Sequence, residues 1–302
     1  MRSSFGRVGV LMGGPSGERE ISLRSGTAVA QALKDRGHEV VRIDPIGDAR
    51  EKIQGGRIDV AFIALHGSFG EDGQVQEILE SQKIPYIGSG IEASRRAIDK
   101  VGARRQFERA GVVVPEGIVC TQGARIEMNG LPPPWVVKPA RQGSSLGLSV
   151  VQDRADLEEA AAEAFRYDPT ILIETFVQGR ELTVGILGDR PLIPVEIRPA
   201  DGVFSFKAKY TPGATQYLIP PVLPSSTLAR VQETALACHR ALGCRHLSRT
   251  DLILLPEGKV VALEVNTIPG FTETSLLPKA ARAGGLEFPD LCEKLLEMAI
   301  HG

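Results

Sequence analysis

Over the first ninety residues, short apolar runs alternate with stretches of helical period. "RVGVLM" reads as a strand, "SLRSGTAVAQALKDRG" as a helix stopped by Gly37, "HEVVRID" and "DVAFIAL" as further strands, and "QVQEILESQ" as a helix. Strand–helix alternation with short links predicts a parallel sheet covered on both faces. Ligands of such sheets bind at the carboxyl ends of the strands, where the polar, glycine-rich loops "GGPSGERE" and "HGSFGEDG" fall. A long helical pattern follows, "IEASRRAIDKVGARRQFERAG", ending near Pro115. Strands "PWVVKP", "LSVVQ" and "ILIET" come next, with the helix "RADLEEAAAEAFRYD" between the last two. From about residue 179 the chain turns β-rich through "RELTVGILG", "PLIPVEI" and "FSFKAKY", then enters the helix "STLARVQETALACHRALG". Two helices, around "LLPKAARAGG" and "FPDLCEKLLEMAI", finish the pattern. The polar stretch "TPGATQYLIPPVLPSS" reads as a lid or an exposed linker, since loops of this length in compact domains are usually functional.

The segment "RTDLILLPEGKVVALEVNTIPG", residues 249–270, carries the first chemistry. Two apolar runs flank Pro-Glu-Gly-Lys, as in a β-hairpin. Folding at Glu257-Gly258 puts Leu252, Leu254, Val261, Leu263 and Val265 on one core face. The other face sets Asp251 across from Glu264 and Arg249 across from Asn266. Two facing carboxylates at ~5 Å repel by roughly 3 kcal/mol at an effective dielectric near 20. Either one of them is protonated, or both sit at a solvated edge, or a hard cation joins them. Two carboxylates and an amide oxygen are an all-oxygen set that suits Mg²⁺, an ion usually shared with substrate phosphates.

A phosphate site is available elsewhere. "VVKPARQGSSLGLSVV" ends an apolar strand at Lys138 and follows it with the small-residue loop Gly143-Ser144-Ser145-Leu146-Gly147. Such a loop is either an ordinary hairpin connection or a cradle whose N–H groups approach phosphate beside a lysine point charge. Neither GxxxxGK[ST] nor GxGxxG is present, and the missing GxGxxG weighs against a dinucleotide-dependent oxidoreductase on the N-terminal half.

Composition narrows the class. The 302 residues predict two or three domains, and 42% hydrophobic with 24% charged residues is ordinary for a globular protein. A net charge of −2 gives no electrostatic reason for nucleic acid or an anionic membrane as partner. Cys120, Cys238, Cys244 and Cys292 are scattered without a CxxC pair and read as structural thiols of a reducing cytosol. No apolar run is long enough for a signal peptide or a membrane span, so the expected location is cytoplasmic. Five histidines without ligand spacing argue against zinc.

Together "GGPSGEREISLRSG", "HGSFGEDGQVQEILE", "VVKPARQGSSLG" and "RTDLILL…EVNTIPG" resemble, in order and from the first strand to the last helix, the D-alanine–D-alanine ligases of the ATP-grasp class. The resemblance implies α/β and α+β architecture: a Rossmann-like N-terminal domain (1–92), a central ATP-grasp subdomain (93–178) and a C-terminal one with the metal and catalytic site (179–302). It implies ATP, Mg²⁺ (two ions, with Mn²⁺ an alternative) and two molecules of D-alanine, joined through an acyl phosphate for peptidoglycan precursor synthesis. A homodimer through the N-terminal domain is also implied.

Residue by residue, Lys100 and Lys138 look like the phosphate lysines, with Ser145 in the phosphate loop. Glu174 falls where the base is recognised and Glu181 where the ribose is held. Asp251, Glu264 and Asn266 fall on the magnesium ligands, and Arg249 and the Gly270 N–H on the oxyanion donors. Glu18 matches the carboxylate holding the first substrate's ammonium group, tied to Ser144 and Tyr210. Ser275 and Leu276 match the positions holding the second substrate's carboxylate, and His66 and Lys209 lie near the reacting groups. On the residues alone, Arg249 is an ion-pair partner of Asp251 or Glu264, Glu18 an acidic helix start, Glu181 a solvated strand residue and His66 structural. By resemblance again, related ligases that accept D-lactate tend to lack a tyrosine at the position of Tyr210, so its presence in "KAKY" implies an amine as second substrate. Phe271, where methionine is usual, and Glu77, where glycine is common, depart from the family pattern. The rival readings are an ATP-grasp ligase with another second substrate such as D-lactate, and a nucleotide-binding regulator without catalysis.

Overall fold

The computed structural model describes residues 5–143, 145–200 and 213–301; Ser144, Lys209, Tyr210 and the expected strand "FSFKAKY" lie outside them. Three sheets organise the chain. In the first, β1 (Arg7–Leu11), β2 (Glu39–Ile43) and β3 (Val60–Ile63) run parallel in the order β2-β1-β3, and Ala61 forms a further parallel bridge to Tyr86. Both faces are buried, as the unbroken apolar runs predict. Val8, Val10, Val60 and Phe62 enter one core, whereas Leu11, Ala61 and Ile63 enter another. Helix Arg19–Asp35 covers the first face closely: a Cβ on Gly26 would come within 2.3 Å of the Met12 Cβ. Its buried Ser22 accepts the Gly13 N–H (2.8 Å) and donates to the Ala64 carbonyl (2.7 Å), which satisfies backbone groups just beyond two strands.

The second sheet is antiparallel, β4-β7-β5-β6, from β4 (Gly117–Thr121), β5 (Trp135–Pro139), β6 (Ser149–Val151) and β7 (Thr170–Thr175). Helix Leu157–Phe165 lies against it, and the two share a core of their own around Trp135, Val137, Leu157 and Ile171. The third sheet has the order β11-β10-β8-β12-β13, from β8 (Arg180–Leu187), β10 (Val195–Pro199), β11 (Thr215–Leu218), β12 (Leu247–Leu254) and β13 (Val260–Asn266); the short β9 (Arg190–Pro191) pairs with β8. Helix Ser225–Leu242 packs Val231, Ala235 and Leu242 onto Leu182, Val184, Leu252 and Ala262. Helices Leu276–Ala283 and Phe288–His301 return to the N-terminal sheet, where Leu277, Phe288, Leu291 and Leu295 share a core with Val8, Val10 and Phe62. All four cysteines are free thiols, and burial pushes the thiols of Cys238 and Cys244 up, to about 12 and about 11.

Several expectations are corrected. The helical pattern over 91–111 is two helices, Ile91–Ile98 and Lys100–Arg109, because Asp99 leaves the helical region (ψ 95) and caps the second helix through the Val101 N–H (3.1 Å). Helix Ala49–Gly56 and strand β4 carry weak apolar patterns and were not expected. Part of the stretch that reads as a lid or an exposed linker is strand: Thr215–Leu218 pairs with β10. The hairpin keeps Asp251 opposite Glu264 and Arg249 opposite Asn266, yet its turn differs. The loop is Pro256-Glu257-Gly258, with Gly258 at φ 85 and its N–H bonded to the Leu255 carbonyl (2.9 Å). That one-residue offset is undone by a bulge beyond Asp251, so Leu252 pairs with Ala262 and Leu254 with Val260. Val260 and Ala262 take the core places expected of Val261 and Leu263, and Leu263 lines a cavity instead.

Candidate active site

Two adjoining cavities open between the sheets. The first, about 510 Å³, lies between the second and third sheets. Its walls carry apolar Val136, Leu146, Phe176, Ile197, Ile253 and Leu263, and also Lys100, Lys138, Ser145, Glu174, Glu181, Asp251 and Glu264. All five residues expected on the nucleotide side are therefore together. The second, about 410 Å³, lies between the first and third sheets and is lined by Glu18, His66, Arg249, Asn266, Gly270, Ser275 and Leu276. Lys100, Gln142, Gly143 and Glu264 line both, so the cavities meet at one wall.

In the first cavity Glu174 is buried and each carboxylate oxygen has a cation. Lys138 Nζ is 2.5 Å from Oε2, and Arg104 is 3.5 Å from Oε1. Arg104 follows Lys100 by one helical turn, so a single helix start presents both. Gly117 makes the approach possible, since a Cβ there would sit 2.9 Å from both Arg104 and Glu174. Arg104 escaped the sequence reading; its i, i+4 spacing from Lys100 is the signal that could have found it. Ser145 occupies the left-handed region (φ 58) within the loop after β5.

The facing carboxylates of the hairpin have protein cations of their own. Arg249 grips Asp251 with two bonds, Nε to Oδ1 at 2.9 Å and Nη2 to Oδ2 at 2.8 Å, while Thr183 donates to Oδ1 at 2.6 Å. Lys100 Nζ stands 3.7 Å from Glu264 Oε2. Burial disfavours the charge on Arg249, but Asp251, with Glu264 and Glu71 behind it, more than reverses this and holds its pKa above the ordinary value. The repulsion is thus offset by Arg249 and Lys100, and the ion-pair reading of Arg249 is what the geometry contains. Asp251, Glu264 and Asn266 still present oxygen donors at the meeting of the cavities, and the Asn266 oxygen accepts the Ile268 N–H (2.9 Å) with one lone pair to spare. Among the described residues no group of three or more His, Cys, Asp or Glu side chains could hold a metal. The set fits a hard cation that takes its remaining oxygens from phosphate.

Around the second cavity, Glu18 threads between two glycines: its Oε2 would lie 2.6 Å from a Cβ on Gly67 and 3.3 Å from one on Gly143. Ser275 precedes helix Leu276–Ala283, and its hydroxyl accepts the Thr272 N–H (3.1 Å) rather than capping its own helix, so the first N–H groups of that helix remain available. His66 lines the cavity with both ring nitrogens engaged by protein: Nδ1 by the Ile268 carbonyl (3.0 Å) and Nε2 by Ser25 Oγ (3.0 Å). Burial holds its pKa below the ordinary histidine value, against the pull of Glu18.

Sequence reading also passed over Glu71 and Tyr217. Glu71, in the quoted "HGSFGEDG" loop, lines the second cavity and accepts the Gly67 N–H (3.2 Å); burial and then Glu18 push its carboxyl well above the usual range. Tyr217, from β11, lines the same cavity with Lys279 over its ring (4.4 Å), and only the β10 pairing reveals it.

Among the described residues no helix is long and apolar enough to cross a membrane. Known proteins share this arrangement. Residues 119–297 match the family model for the D-ala D-ala ligase C-terminus, and residues 44–89 that for the N-terminus. A D-alanine–D-alanine ligase of Desulforudis audaxviator is 47% identical over 301 residues, covering 97% of this chain and 98% of its own length. One from Syntrophotalea carbinolica is 46% identical over 291 residues, covering 96% and 95%. The crystal structure of the Bacillus anthracis D-alanine–D-alanine ligase complexed with ATP superposes with a TM-score of 0.87 at 32% identity, covering 97% of both chains. That of the VanG D-Ala:D-Ser ligase from Enterococcus faecalis gives 0.84 at 28%, covering 97% and 99%. The mixed α/β, ATP-grasp architecture expected from the sequence is theirs. With residues 44–89 and 119–297 matched and relatives at 46–47% identity spanning nearly its whole length, the chain belongs to the D-alanine–D-alanine ligase family.

Proposed function

We propose that the protein joins two molecules of D-alanine into D-alanyl-D-alanine at the expense of ATP, through an acyl phosphate, to supply peptidoglycan synthesis. The observation that carries this reading is the meeting of the two cavities at Lys100 and Glu264, beside the carboxylate pair Asp251–Glu264. ATP occupies the first cavity, with the base on the Phe176 side against Glu174, the ribose at Glu181 and the phosphates at Lys100, Lys138 and Ser145. The first D-alanine lies in the second cavity with its ammonium group at Glu18. Its carboxylate attacks the γ-phosphorus and ADP leaves. The second D-alanine, its carboxylate held by Ser275 and the Leu276 N–H at a helix start, presents its amine to the acyl carbon. Phosphate then departs from a tetrahedral intermediate whose oxyanion is met by Arg249 and the Gly270 N–H. Mg²⁺ (two ions, or Mn²⁺) at Asp251, Glu264 and Asn266 would neutralise the transferring phosphoryl group.

Ser144, Lys209 and Tyr210 belong to this reading by resemblance alone. So do the division at residues 92 and 178, a homodimer through the N-terminal domain and a cytoplasmic location. The relatives named D-alanine–D-alanine ligases, at 46–47% identity, favour D-alanine over D-lactate as second substrate. Product analysis tests the reading: incubation with ATP, Mg²⁺ and D-alanine yields the dipeptide and phosphate, and L-alanine yields neither. Absence of dipeptide with D-alanine overturns it.

A further inference from the structure

The segment between β13 and helix Leu276–Ala283 is tied down at Ile268, Phe271 and Thr272. The Asn266 side chain holds the Ile268 N–H (2.9 Å), and Ser275 Oγ holds the Thr272 N–H (3.1 Å). Between these, two ties come from the other end of the chain. The Ile268 carbonyl is bonded by His66 Nδ1 (3.0 Å), and the Phe271 N–H donates to Ser25 Oγ (3.2 Å). Ser25 and His66 are bonded to each other (3.0 Å), and both are buried. The Gly270 N–H, by contrast, makes no hydrogen bond within the described residues, although Gly270 lines the second cavity.

Proton bookkeeping gives the network a single direction. A carbonyl only accepts, so His66 Nδ1 carries the proton; the neutral ring then accepts at Nε2 from the Ser25 hydroxyl, whose oxygen accepts the Phe271 N–H. Burial favours this neutral ring. His66 is itself anchored from behind, where its carbonyl accepts the Ser16 hydroxyl (2.6 Å). The two ties therefore grip the chain two residues before Gly270 and one residue after it.

We propose that Ser25 and His66 form a latch that fixes where the Gly270 N–H stands, making Ser25 a positioning residue and giving His66 the same task instead of contact with substrate. This rests on the ligase reading, in which the Gly270 N–H meets the oxyanion. Placement matters because a donor that stabilises a developing charge must stand ready before the charge forms. Losing Ser25 Oγ frees the Phe271 N–H and the His66 Nε2 together, so the loop shifts or twists at Gly270.

The test is Ser25→Ala with three readouts. Dipeptide kcat is expected to fall roughly ten- to a hundredfold, part of the loss that removing such a donor outright produces. KM for ATP and for both D-alanines is expected to stay within about twofold, since Ser25 and His66, although they line the second cavity, commit their side-chain polar atoms to each other and to the loop. Affinity for a phosphinate analogue of the tetrahedral intermediate, measured by inhibition, falls in proportion to kcat, while ADP affinity is unchanged. A purely structural role would lower ADP affinity and melting temperature along with kcat, and that pattern overturns the proposal, as does an undiminished kcat. His66→Ala guards against accommodation of the first variant and should show the same split. Wild-type protein in the same assay separates the two levels: if it forms no dipeptide, the ligase reading itself fails; if it does and the variants match it, only the latch fails.

Discussion

In the proposed reaction Arg249 has two duties, which a single substitution can separate. Its guanidinium clamps Asp251 through two hydrogen bonds and faces the second cavity, where the oxyanion would form. Arg249→Ala removes a donor worth about 2.7–4 kcal/mol of barrier, so kcat for dipeptide formation should fall roughly a hundred- to a thousandfold while ATP still binds. The same change leaves Asp251 opposite Glu264 with one of the two balancing cations gone, a repulsion of roughly 3 kcal/mol at an effective dielectric near 20. A divalent cation can replace that charge. Magnesium should therefore raise the melting temperature of Arg249→Ala more than it raises that of the wild type, and equal shifts would mean that no ion is held between these carboxylates. Glu174→Gln offers a second separation. It removes the charge that holds Lys138 and Arg104 together in a buried place, so like cations are left side by side. Breaking such a pair costs about 3–5 kcal/mol when fully buried. Denaturant unfolding should register a loss toward the lower end of that range, because Lys138 opens onto a cavity.

At the scale of elements, Gly26 sets helix propensity against packing. Alanine in a helix interior is worth up to about 1 kcal/mol over glycine, and Gly26 lies in the middle of helix Arg19–Asp35. Its added Cβ would nevertheless meet the Met12 Cβ at 2.3 Å, an atom fixed to the backbone and unable to swing aside. Overpacking costs about 1–3 kcal/mol, so Gly26→Ala should lower the denaturant midpoint, and a rise would show that the helix can lift off β1. This helix also shows what could be read beforehand. Its apolar period and its stop at Gly37 are local properties and survive folding, as do the alternating strands β8, β12 and β13. The hairpin register at Asp251 and Glu264 was legible, but only because a three-residue turn and a bulge cancel; no local pattern announces the bulge that turns Leu263 toward the cavity. The break at Asp99 lay inside a good helical pattern and is set by a side-chain cap. Contacts such as Ser25 to His66 join residues 41 apart in sequence, and His66 to Ile268 joins residues 202 apart, so neither has a local signature. The residues that gather at the two cavities were named through their resemblance to a family pattern, and the Arg249–Asp251 pair through the hairpin, whereas Arg104 beside Glu174 was not.

The whole molecule is closed by a seam between its beginning and its end. Helix Phe288–His301 completes the core over β1 and β3, and His38 lies 2.7 Å from Glu293 across it. A second stretch of the seam runs through residues 245–248. Arg245 donates to the Gly88 carbonyl (3.1 Å) with its guanidinium 4.9 Å over the Tyr86 ring, and His246 Nδ1 accepts the Gly88 N–H (3.2 Å); behind the seam, within the third sheet and its helix, His239 Nδ1 is bonded to Ser248 Oγ (2.7 Å). His246 can accept that N–H only while Nδ1 is unprotonated. Burial is the main cause that lowers both imidazoles, His239 and His246, to about 4, with Arg245 adding to it at His246 and Asp189 opposing it at His239. A histidine whose folded pKa lies below its unfolded value of about 6.5 binds more protons unfolded, so stability declines as pH falls through that window and levels off near the folded value. Each of the two should therefore withdraw about 1 kcal/mol between pH 7.5 and 5.5, and on the order of 3 kcal/mol by pH 4. His246→Asn isolates one share of this. Asparagine tolerates the left-handed backbone found at His246 (φ 62), its amide oxygen can accept the Gly88 N–H, and it does not titrate. Denaturant unfolding between pH 7.5 and 5.5, above the ordinary carboxylate range and with the raised Glu71 common to both proteins, should show the variant losing about 1 kcal/mol less than the wild type. An identical pH slope in both would mean that His246 does not gate the seam and that the decline comes from elsewhere in the molecule.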